Sequence, residues 1–300
     1  MNPGPHNKTS KSPPEDLAAF VLEYSNPSIT LRCIESLANT NIKHIFIRDN
    51  SADNGFARAT LLRAIDANPA LLERVTILGD NRNLGFSAGM NAVLAEVGKK
   101  MALRHVLLIN NDATIDQNGP AVLLKVLTNN ARLAMVAPEF LDAQKKNTAM
   151  LYYNAYTATM SRKKHPGSFA FLSGCCVLVD LKKTGLPLFD EKFFMYGEDV
   201  ALSLGIHEKG FEMDTVASVL VEHIGSASSV TGSTFYEYHV ARGHLLLTSR
   251  IAGSWLHSIF LWPPRLTSLV VRGFIRSVRS GSFTPLVALW RALFALGPAS

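Results

Sequence analysis

The chain has 300 residues, of which 47% are hydrophobic and 18% are charged. This composition excludes a largely disordered protein, because disorder needs few apolar residues and a high density of charge. It is enough to bury one large core, or one core with an appendage. The three cysteines, Cys33, Cys175 and Cys176, lack the number and spacing of a disulfide framework or a cysteine-based metal site.

Positive charge is concentrated towards the end of the chain. The formal net charge is +6, and Glu237 is the last acidic residue, followed by seven arginines and no lysine. Residues 1–237 therefore carry 23 basic and 24 acidic groups, which argues against nucleic-acid binding by the body of the protein. The sequence instead predicts a basic tail that meets an anionic partner.

The first residues bear on location. Residues 1–15 are polar and contain no apolar core of a secretory signal, so we expect a disordered arm. Together with the cysteine pattern, this predicts a reducing, cytoplasmic location.

From Leu17 the hydrophobic pattern alternates between strand-like and helix-like segments. We expect strands at 17–24, 43–48, 74–78, 105–109, 133–137, 169–179 and 213–222, and helices at 28–39, 56–67, 85–97, 117–129 and 198–209. This alternation predicts an α/β fold with an open, mainly parallel sheet flanked by helices. The stretch 140–169 is polar and irregular, and we expect a mobile loop region there.

Polar clusters directly follow three of the predicted strands. They are Asp49–Ser51, Asp80–Asn83 and Asn110–Asp112. Because ligands bind at the carboxyl ends of strands in such sheets, the clusters predict one binding crevice. Asp112 follows an apolar strand, a place where a carboxylate can hold a hard divalent cation. Taken alone, however, Asp112 is better explained as part of a turn or helix cap.

Three further positions have residue types suited to chemistry. Glu198 and Asp199 follow an aromatic run at a helix start, where one carboxylate could take a proton and the other could cap the helix. His223 ends a strand and could bind a metal, although a lone histidine is more often structural. Gly85 and Gly89 flank a helix start that could admit an anion. Neither a dinucleotide-binding nor a P-loop pattern is present.

The tail contains a basic amphipathic helix. At about 100° per residue, Arg265, Arg272, Arg276 and Arg279 share a sector of roughly 60°. The apolar side chains on the opposite side are Leu266, Val270, Val271, Phe274 and Val278. The next apolar stretch, 286–296, is too short to span a membrane, which needs ~20 residues. We expect the arginines to meet an anionic membrane surface, and packing of the tail on the body is the alternative.

The motifs follow one another in a distinctive order. They are D-N-S (49–51), N-x-G-F-x-A-G-x-N (83–91), N-N-D (110–112), S-G (173–174), F-D-E-x-F-F-M-Y-G-E-D (189–199), G-F (210–211) and E-H-x-G-S (222–226). This set resembles family 2 glycosyltransferases of the GT-A fold, and is most similar to bacterial rhamnosyltransferase-type members that build surface polysaccharide. The resemblance runs from about Ala18 to Arg250. With the charge pattern, it divides the chain into a disordered arm (1–15), a GT-A domain (16–250) and a membrane-associating helical tail (251–300).

The resemblance implies roles for individual residues. Asp199 would be the catalytic base, with Glu198 beside it, and Asp112 and His223 would bind Mg²⁺ or Mn²⁺ with the donor diphosphate. Asp49 would hydrogen-bond the nucleotide base. The other residues implied in the nucleotide-sugar pocket are Tyr24, Asn26, Asn83, Gly85, Asn91, Asn110, Asn111 and Gly174.

The function implied is inverting transfer of a sugar, with L-rhamnose from dTDP-rhamnose favoured. The acceptor would be lipid-linked or a polysaccharide in O-antigen or capsule-type synthesis, at the inner face of the bacterial plasma membrane. One alternative is a catalytically silent relative that binds nucleotide-sugar or scaffolds an assembly, against which the retention of Asp112, Asp199 and His223 argues. The other is a nucleotidyltransferase, which would need a basic loop after the first strand, where residues 25–28 contain no basic side chain.

Five positions depart from the family's pattern. One is Asn110, which stands at the first position of the family's D-x-D metal motif and leaves one carboxylate fewer for a cation. Glu23 stands where a small or hydroxyl residue is usual, and Gly243 stands where asparagine is common. Ala201 and Gly205 stand where an acid and an arginine usually follow the E-D pair. These departures bear on donor and acceptor more than on the reaction class.

Overall fold

The structure, a computed structural model, describes residues 17–142, 145–223 and 232–295. The arm expected at residues 1–15 lies outside the described residues. The first elements are β1 (Leu17–Glu23), α1 (Pro27–Ala38), β2 (His44–Asp49), α2 (Phe56–Asp66), α3 (Pro69–Leu72), β3 (Val75–Leu78), α4 (Gly85–Gly98) and β4 (His105–Asn110). They are followed by β5 (Ala113–Ile115), α5 (Gly119–Asn129), β6 (Leu133–Asp142), β7 (Lys145–Asn147), β8 (Met150–Asn154), β9 (Met160–Ser161), β10 (Ser168–Leu172), β11 (Cys176–Asp180) and α6 (Leu181–Thr184). The last are α7 (Glu198–Glu208), β12 (Glu212–His223), α8 (Thr234–Ala252), α9 (Trp255–Ser280) and α10 (Thr284–Phe294).

The large sheet is open and mainly parallel, which confirms the predicted fold class. Its strands lie in the order β3-β2-β1-β4-β11-β6-β12-β5, and β7 pairs with β6. β1 is parallel to β2 and β4, and β6 is parallel to β12. β11 runs antiparallel to β4 and β6, and β5 runs antiparallel to β12. The ends of β1, β2, β4 and β12 therefore meet the start of β11 at one edge of the sheet.

Apolar layers cover both faces of this sheet. β1 and β4 are buried along almost their whole length, because helices pack on each side of these near-continuous apolar runs. Ile34, Leu61 and Leu123 belong to the layer on one face, and Met90 and Leu94 belong to the layer on the other. Because both faces of the sheet are covered, a ligand can reach these strands at their ends.

The prediction of a mobile loop region at 140–169 is wrong, because the structure has strands there. β6 continues to Asp142, and β8, β9 and β10 form a second, three-stranded sheet. Tyr153 of β8 is fully buried. These strands are short, and the apolar layer that covers them comes from a distant part of the chain, so their local sequence gives little sign of order.

The single strand expected at 169–179 is in fact two strands. β10 pairs with β8 in the small sheet, whereas β11 pairs with β4 in the large sheet. The chain changes sheets at residues 173–175, where the Ser173 backbone N–H donates to the carbonyl of Ala149 (2.9 Å) and the Asn110 backbone N–H donates to the carbonyl of Cys175 (2.9 Å). This crossing brings Gly174 to the carboxyl end of β4.

Helices α8, α9 and α10 pack together beside the small sheet. Buried side chains of the three helices, such as Leu245, Leu269 and Leu289, form a third apolar cluster with Tyr153 of β8 and Phe171 of β10. Within the described ranges, the structure contains no helix with the length and apolar character needed to cross a membrane. The tail is thus joined to the body by an apolar layer.

The arginine side of α9 faces the protein, which corrects the expectation that it meets an anionic membrane. Arg265 is fully buried. Its guanidinium donates to the hydroxyls of Thr248 (2.8 Å) and Tyr153 (2.8 Å) and to the backbone carbonyls of Ala155 (2.5 Å) and His244 (2.8 Å). Helical periodicity divides α9 into two sides, but it does not say which side faces inward.

Two more arginines of this set face inward. Arg272 donates to the carbonyl of Ala158 (2.7 Å), and Arg276 forms an ion pair with the buried carboxylate of Glu237. Arg279, in the last turn of α9, is exposed. Much of the opposite, apolar side of the helix is exposed to solvent.

Candidate functional site

A cavity of about 390 Å³ opens at the edge where the ends of β1, β4 and β12 meet the start of β11. The start of α4, the turn before α7 and the start of α8 complete its walls. We call this cavity the cleft. The residues placed in the site from sequence that line the cleft are Tyr24, Asn83, Gly85, Asn110, Asn111, Asp112, Gly174, Glu198, Asp199 and His223.

Asn91 does not line the cleft, which corrects its expected place in the nucleotide-sugar pocket. It is buried in α4, where its amide nitrogen donates to the carbonyl of Phe189 (2.8 Å) and to the carboxylate of Glu191 (3.0 Å). Its amide oxygen accepts from the backbone N–H groups of Leu188 and Phe189. Asn91 therefore fastens the segment before α7 to α4.

Asn26 and Asp49 also lie outside the lining of the cleft. Asn26 precedes α1, and its backbone N–H donates to the carboxylate of Glu23 (2.6 Å). Asp49 is fully buried at the end of β2, next in sequence to the cleft residue Asn50. The Oδ2 atom of Asp49 has no hydrogen-bond partner, so this carboxylate has a free acceptor beside the cleft.

Asn50 is a cleft residue to which no role was assigned from sequence. Its amide nitrogen donates to the side chain of Asn83 (2.9 Å) and to the carbonyl of Gly85 (3.1 Å), and its amide oxygen accepts from the backbone N–H of Leu84 (3.0 Å). These bonds fix the loop before α4 to the end of β2. The signal was available, because Asn50 stands in a polar cluster directly after a strand.

Four aromatic side chains form another wall of the cleft, which we call the aromatic wall. Two of the four lie outside every motif identified in the sequence. Phe194 and Tyr196 come from the motif before α7, whereas Phe235 and Tyr236 begin α8. Phe194 and Phe235 meet edge to face, with ring centroids 6.1 Å apart, and Tyr196 and Tyr236 do so at 5.3 Å. Two aromatic residues at the start of a helix carry no sequence signal for a ligand site.

Asp112 and His223 meet in the cleft. Nε2 of His223 lies 3.2 Å from Oδ1 of Asp112. The pairing of β12 with β5 sets His223 opposite Ala113, which brings it beside the end of β4. The carboxylate of Asp112, with Cys175 as a second partner, raises the pKa of His223 to about 10. Residues that are far apart in sequence thus form one charged pair.

The metal-binding capacity of the cleft rests on this pair. Across the described ranges, no group of three or more His, Cys, Asp and Glu side chains is placed to hold a metal ion. One carboxylate and one imidazole nevertheless fit a divalent cation that takes its other ligands from water and substrate phosphate. The imidazole would bind in its neutral form, so metal binding here would release a proton.

Glu198 and Asp199 form the first turn of α7 and border the cleft. The carboxylate of Asp199 accepts from the backbone N–H of Val200 (2.8 Å) and from that of Gly174. Oε2 of Glu198 is buried without a hydrogen-bond partner. Burial raises the pKa of both carboxyl groups, and the neighbouring charge of Asp199 raises that of Glu198 further. A carboxylate whose pKa lies nearer neutrality is suited to accept a proton.

A strained turn presents the two acids. Tyr196 (φ 67°) and Gly197 (φ 96°) adopt left-handed backbone conformations in succession, which for the tyrosine costs about 1–3 kcal/mol. A Cβ on Gly243 of α8 would lie 2.3 Å from the carbonyl oxygen of Tyr196. The departure at Gly243 therefore has a packing reason, because a glycine lets α8 press against this turn.

The departure at Glu23 also has a structural counterpart. Glu23 is fully buried, and it accepts from the Asn26 backbone N–H and from the hydroxyl of Thr30. The same hydroxyl accepts from the side-chain amide of Asn111 (2.9 Å). Burial raises the pKa of Glu23. Glu23 thus acts through Thr30 to hold Asn111 against the cleft.

The tail contributes to the cleft through Tyr236. The guanidinium of Arg276 lies 5.7 Å from the centre of the Tyr236 ring and pairs with Glu237, the next residue along α8. Helix α9 therefore supports a wall of the cleft.

A family model described as "Glycosyltransferase like family 2" matches residues 13–242 of the chain. The chain belongs to this family. No curated protein matches it. The resemblance inferred from the ordered motifs is thereby confirmed at the level of the family.

Solved structures place this family 2 glycosyltransferase in the GT-A fold. A crystal structure of GalNAc-T7 with UDP, GalNAc and Mn²⁺ is 14% identical, with a TM-score of 0.57 over 76% of this chain. The chain spans about half of that protein's length, 47%. The mannosyltransferase PcManGT from Pyrobaculum calidifontis, in complex with GDP-Man and Mn²⁺, is 12% identical, with a TM-score of 0.57 over 93% of this chain and 86% of that one. At such identities the likeness shows the fold.

Proposed function

We propose that this family 2 glycosyltransferase moves a sugar from a nucleoside-diphosphate donor to an acceptor hydroxyl with inversion at the anomeric carbon. The favoured donor is dTDP-rhamnose, on the motif resemblance. The observation that carries the proposal is the convergence of Asp112, Asp199 and His223, from three separate parts of the chain, on one cleft. A single base and a single displacement account for inversion.

The donor would bind along the ends of β1, β2 and β4. Tyr24 and Asn50 lie in the cleft there, where they can contact the nucleotide, whereas Asp49 is buried behind Asn50 and outside the lining. The N-terminus of α4 follows Asn83, and such an end favours a negatively charged group. The solved relatives with UDP and with GDP-Man support a nucleotide-linked donor.

Asp112 and His223 would hold Mg²⁺ or Mn²⁺ against the donor diphosphate. When bound, the cation supplies positive charge that stabilises the departing diphosphate. Both solved relatives contain Mn²⁺, which supports a divalent cation of this kind.

Asp199 would deprotonate the acceptor hydroxyl. Its raised pKa brings it closer to the pH at which a general base works best. Glu198, whose pKa is raised by burial and by the charge of Asp199, would be the more readily protonated of the two and would share a proton with Asp199. Gly174 has no side chain beside Asp199, since a Cβ there would lie 3.7 Å from the Asp199 Cβ, and this leaves room for a sugar ring.

We propose a lipid-linked or polysaccharide acceptor in O-antigen or capsule-type synthesis, reached at the cytoplasmic face of the bacterial plasma membrane. The support for the location is the positive charge on the outer surface of the tail, since Arg279 and Arg291 are exposed and no acidic residue follows Glu237. An anionic membrane surface attracts such a segment.

The test is a thermal-shift screen of the full chain against nucleotide-sugars, with and without Mn²⁺, followed by turnover assays. A donor at a hundredfold excess over its Kd should stabilise the fold by about 2.7 kcal/mol. Asp199→Asn should keep this shift and lose turnover, whereas the exposed Asp66→Asn should keep both. Wild-type turnover in Asp199→Asn would remove Asp199 as the base. A donor-induced shift in a wild-type chain that turns over no acceptor would favour the silent relative.

A further inference from the structure

The two last helices carry apolar side chains that face solvent. On α9, Phe260, Phe274 and Val278 recur at helical spacing on one side of the helix. On α10, Trp290 and Phe294 are one turn apart, with ring centroids separated by 5.0 Å. All five side chains are exposed. We call these two sets the apolar stripes.

The apolar stripes are unusual because of what lies behind them. Arg265 and Arg272, which are charged, point into the protein, whereas large apolar groups on the other side of the same helix point out. Soluble proteins seldom expose large contiguous apolar surface without a partner for it. The arrangement predicts a partner that offers an apolar surface or layer to these exposed side chains.

Charge decides between a membrane and a second copy of the chain. The exposed charged side chains of α9 and α10 are Arg279 and Arg291, and no acidic residue follows Glu237. Pairing of two copies through these helices would bring like charges together. An anionic bilayer offers negative headgroups to the two arginines and an apolar layer to the stripes, and Trp290 suits the level of the headgroups.

We propose that the apolar stripes insert into the interfacial layer of an anionic bilayer, with α9 and α10 lying along the surface. The arginines of α9 that face the protein take no part in the attachment. This proposal deepens the membrane location given under the proposed function, by assigning the surface that makes the contact. It requires neither donor nor turnover, so it stands or fails separately from the sugar-transfer chemistry.

The test is flotation of the full chain with vesicles that contain phosphatidylglycerol, in the absence of donor. The double variant Phe274→Asp/Val278→Asp should lose affinity by on the order of tenfold or more, because each large apolar side chain buried contributes at least that. The matched control is Phe56→Asp on α2, since Phe56 is 66% exposed and Phe274 is 60% exposed. The control should float like the wild type. Both variants should melt like the wild type, because the side chains they replace are exposed.

Salt separates apolar insertion from simple charge attraction. High salt screens exposed charges, so wild-type protein that keeps most of its vesicle binding in high salt supports insertion. Complete release by salt, with unchanged binding of the double variant, would overturn the proposal. Failure of the wild type to float, together with self-association that the double variant abolishes in sedimentation velocity, would overturn it in favour of a second copy.

Discussion

Replacing Arg265 with methionine tests the inward orientation of α9. Methionine keeps most of the length of the side chain but removes the donors that serve Thr248, Tyr153, Ala155 and His244. A buried polar group left without a partner costs about 1–3 kcal/mol, and some of these groups will find new partners. Because Arg265 has four neutral acceptors and several of them would stay unsatisfied, we expect a net loss of ~3–5 kcal/mol.

Thermal unfolding of the full chain measures this loss. For a protein of this size, each kcal/mol corresponds to a shift in Tm of about 2–4 °C, so the melting temperature should fall by roughly 6–20 °C. The matched control is Arg279→Met, on the same side of α9 but exposed, which should change stability by no more than about 0.5 kcal/mol. Equal melting temperatures for the two variants would refute the inward orientation of Arg265.

Three further predictions concern the cleft. Because burial raises the pKa of Asp199 and the base acts when ionised, kcat/KM should rise with pH through a midpoint above the ordinary aspartate value of about 3.9 and be lost as pH falls. Asp112→Asn should raise the Mn²⁺ concentration needed for half-maximal turnover by on the order of tenfold or more. Gly85→Ala should weaken donor binding and lower Tm, because Gly85 has φ 76° and a Cβ there would lie 2.4 Å from the carbonyl oxygen of Phe194.

Each of these predictions has its own contrary result. A midpoint at or below about pH 3.9 would show that burial does not act on the base. An unchanged Mn²⁺ requirement in Asp112→Asn would take Asp112 out of the metal site. Gly98→Ala is the control for Gly85→Ala, since a Cβ at Gly98 would meet open space and should cause no loss of stability. Equal donor binding by the two glycine variants would contradict the close approach at Phe194.

The strand-end clusters could be predicted because they follow from local patterns. Strands β1, β2 and β4 are apolar runs that end in polar residues, and topology alone brings such ends together. The sequence alone therefore identifies Asp112 as a candidate ligand, but it does not identify the partner of Asp112. That His223 would lie 3.2 Å from it depends on the pairing of β12 with β5, and no local pattern in either segment specifies that pairing.

The orientation of α9 could not be predicted from its sequence. A buried arginine is rare unless it is paired, and the partners of Arg265 are hydroxyls and backbone carbonyls contributed by β8 and the turn after it, and by α8. A helical wheel contains only the residues of one helix, so it cannot include the acceptors that other elements provide. The same reason explains the miss at 140–169, since Tyr153 becomes a core residue only when the last helices cover it.

The contacts of Arg276 with Glu237 and Tyr236 affect how the activity of a truncated protein should be interpreted. A protein cut after Arg250 would lose Arg276, and the nearly inaccessible carboxylate of Glu237, 4% exposed, would be left without its cation. The aromatic wall beside it would lose its support, and Tyr153 would lose its cover. Poor turnover by such a fragment would then reflect a damaged catalytic domain, so single substitutions on the outer surface of the helices are the cleaner way to separate anchoring from catalysis.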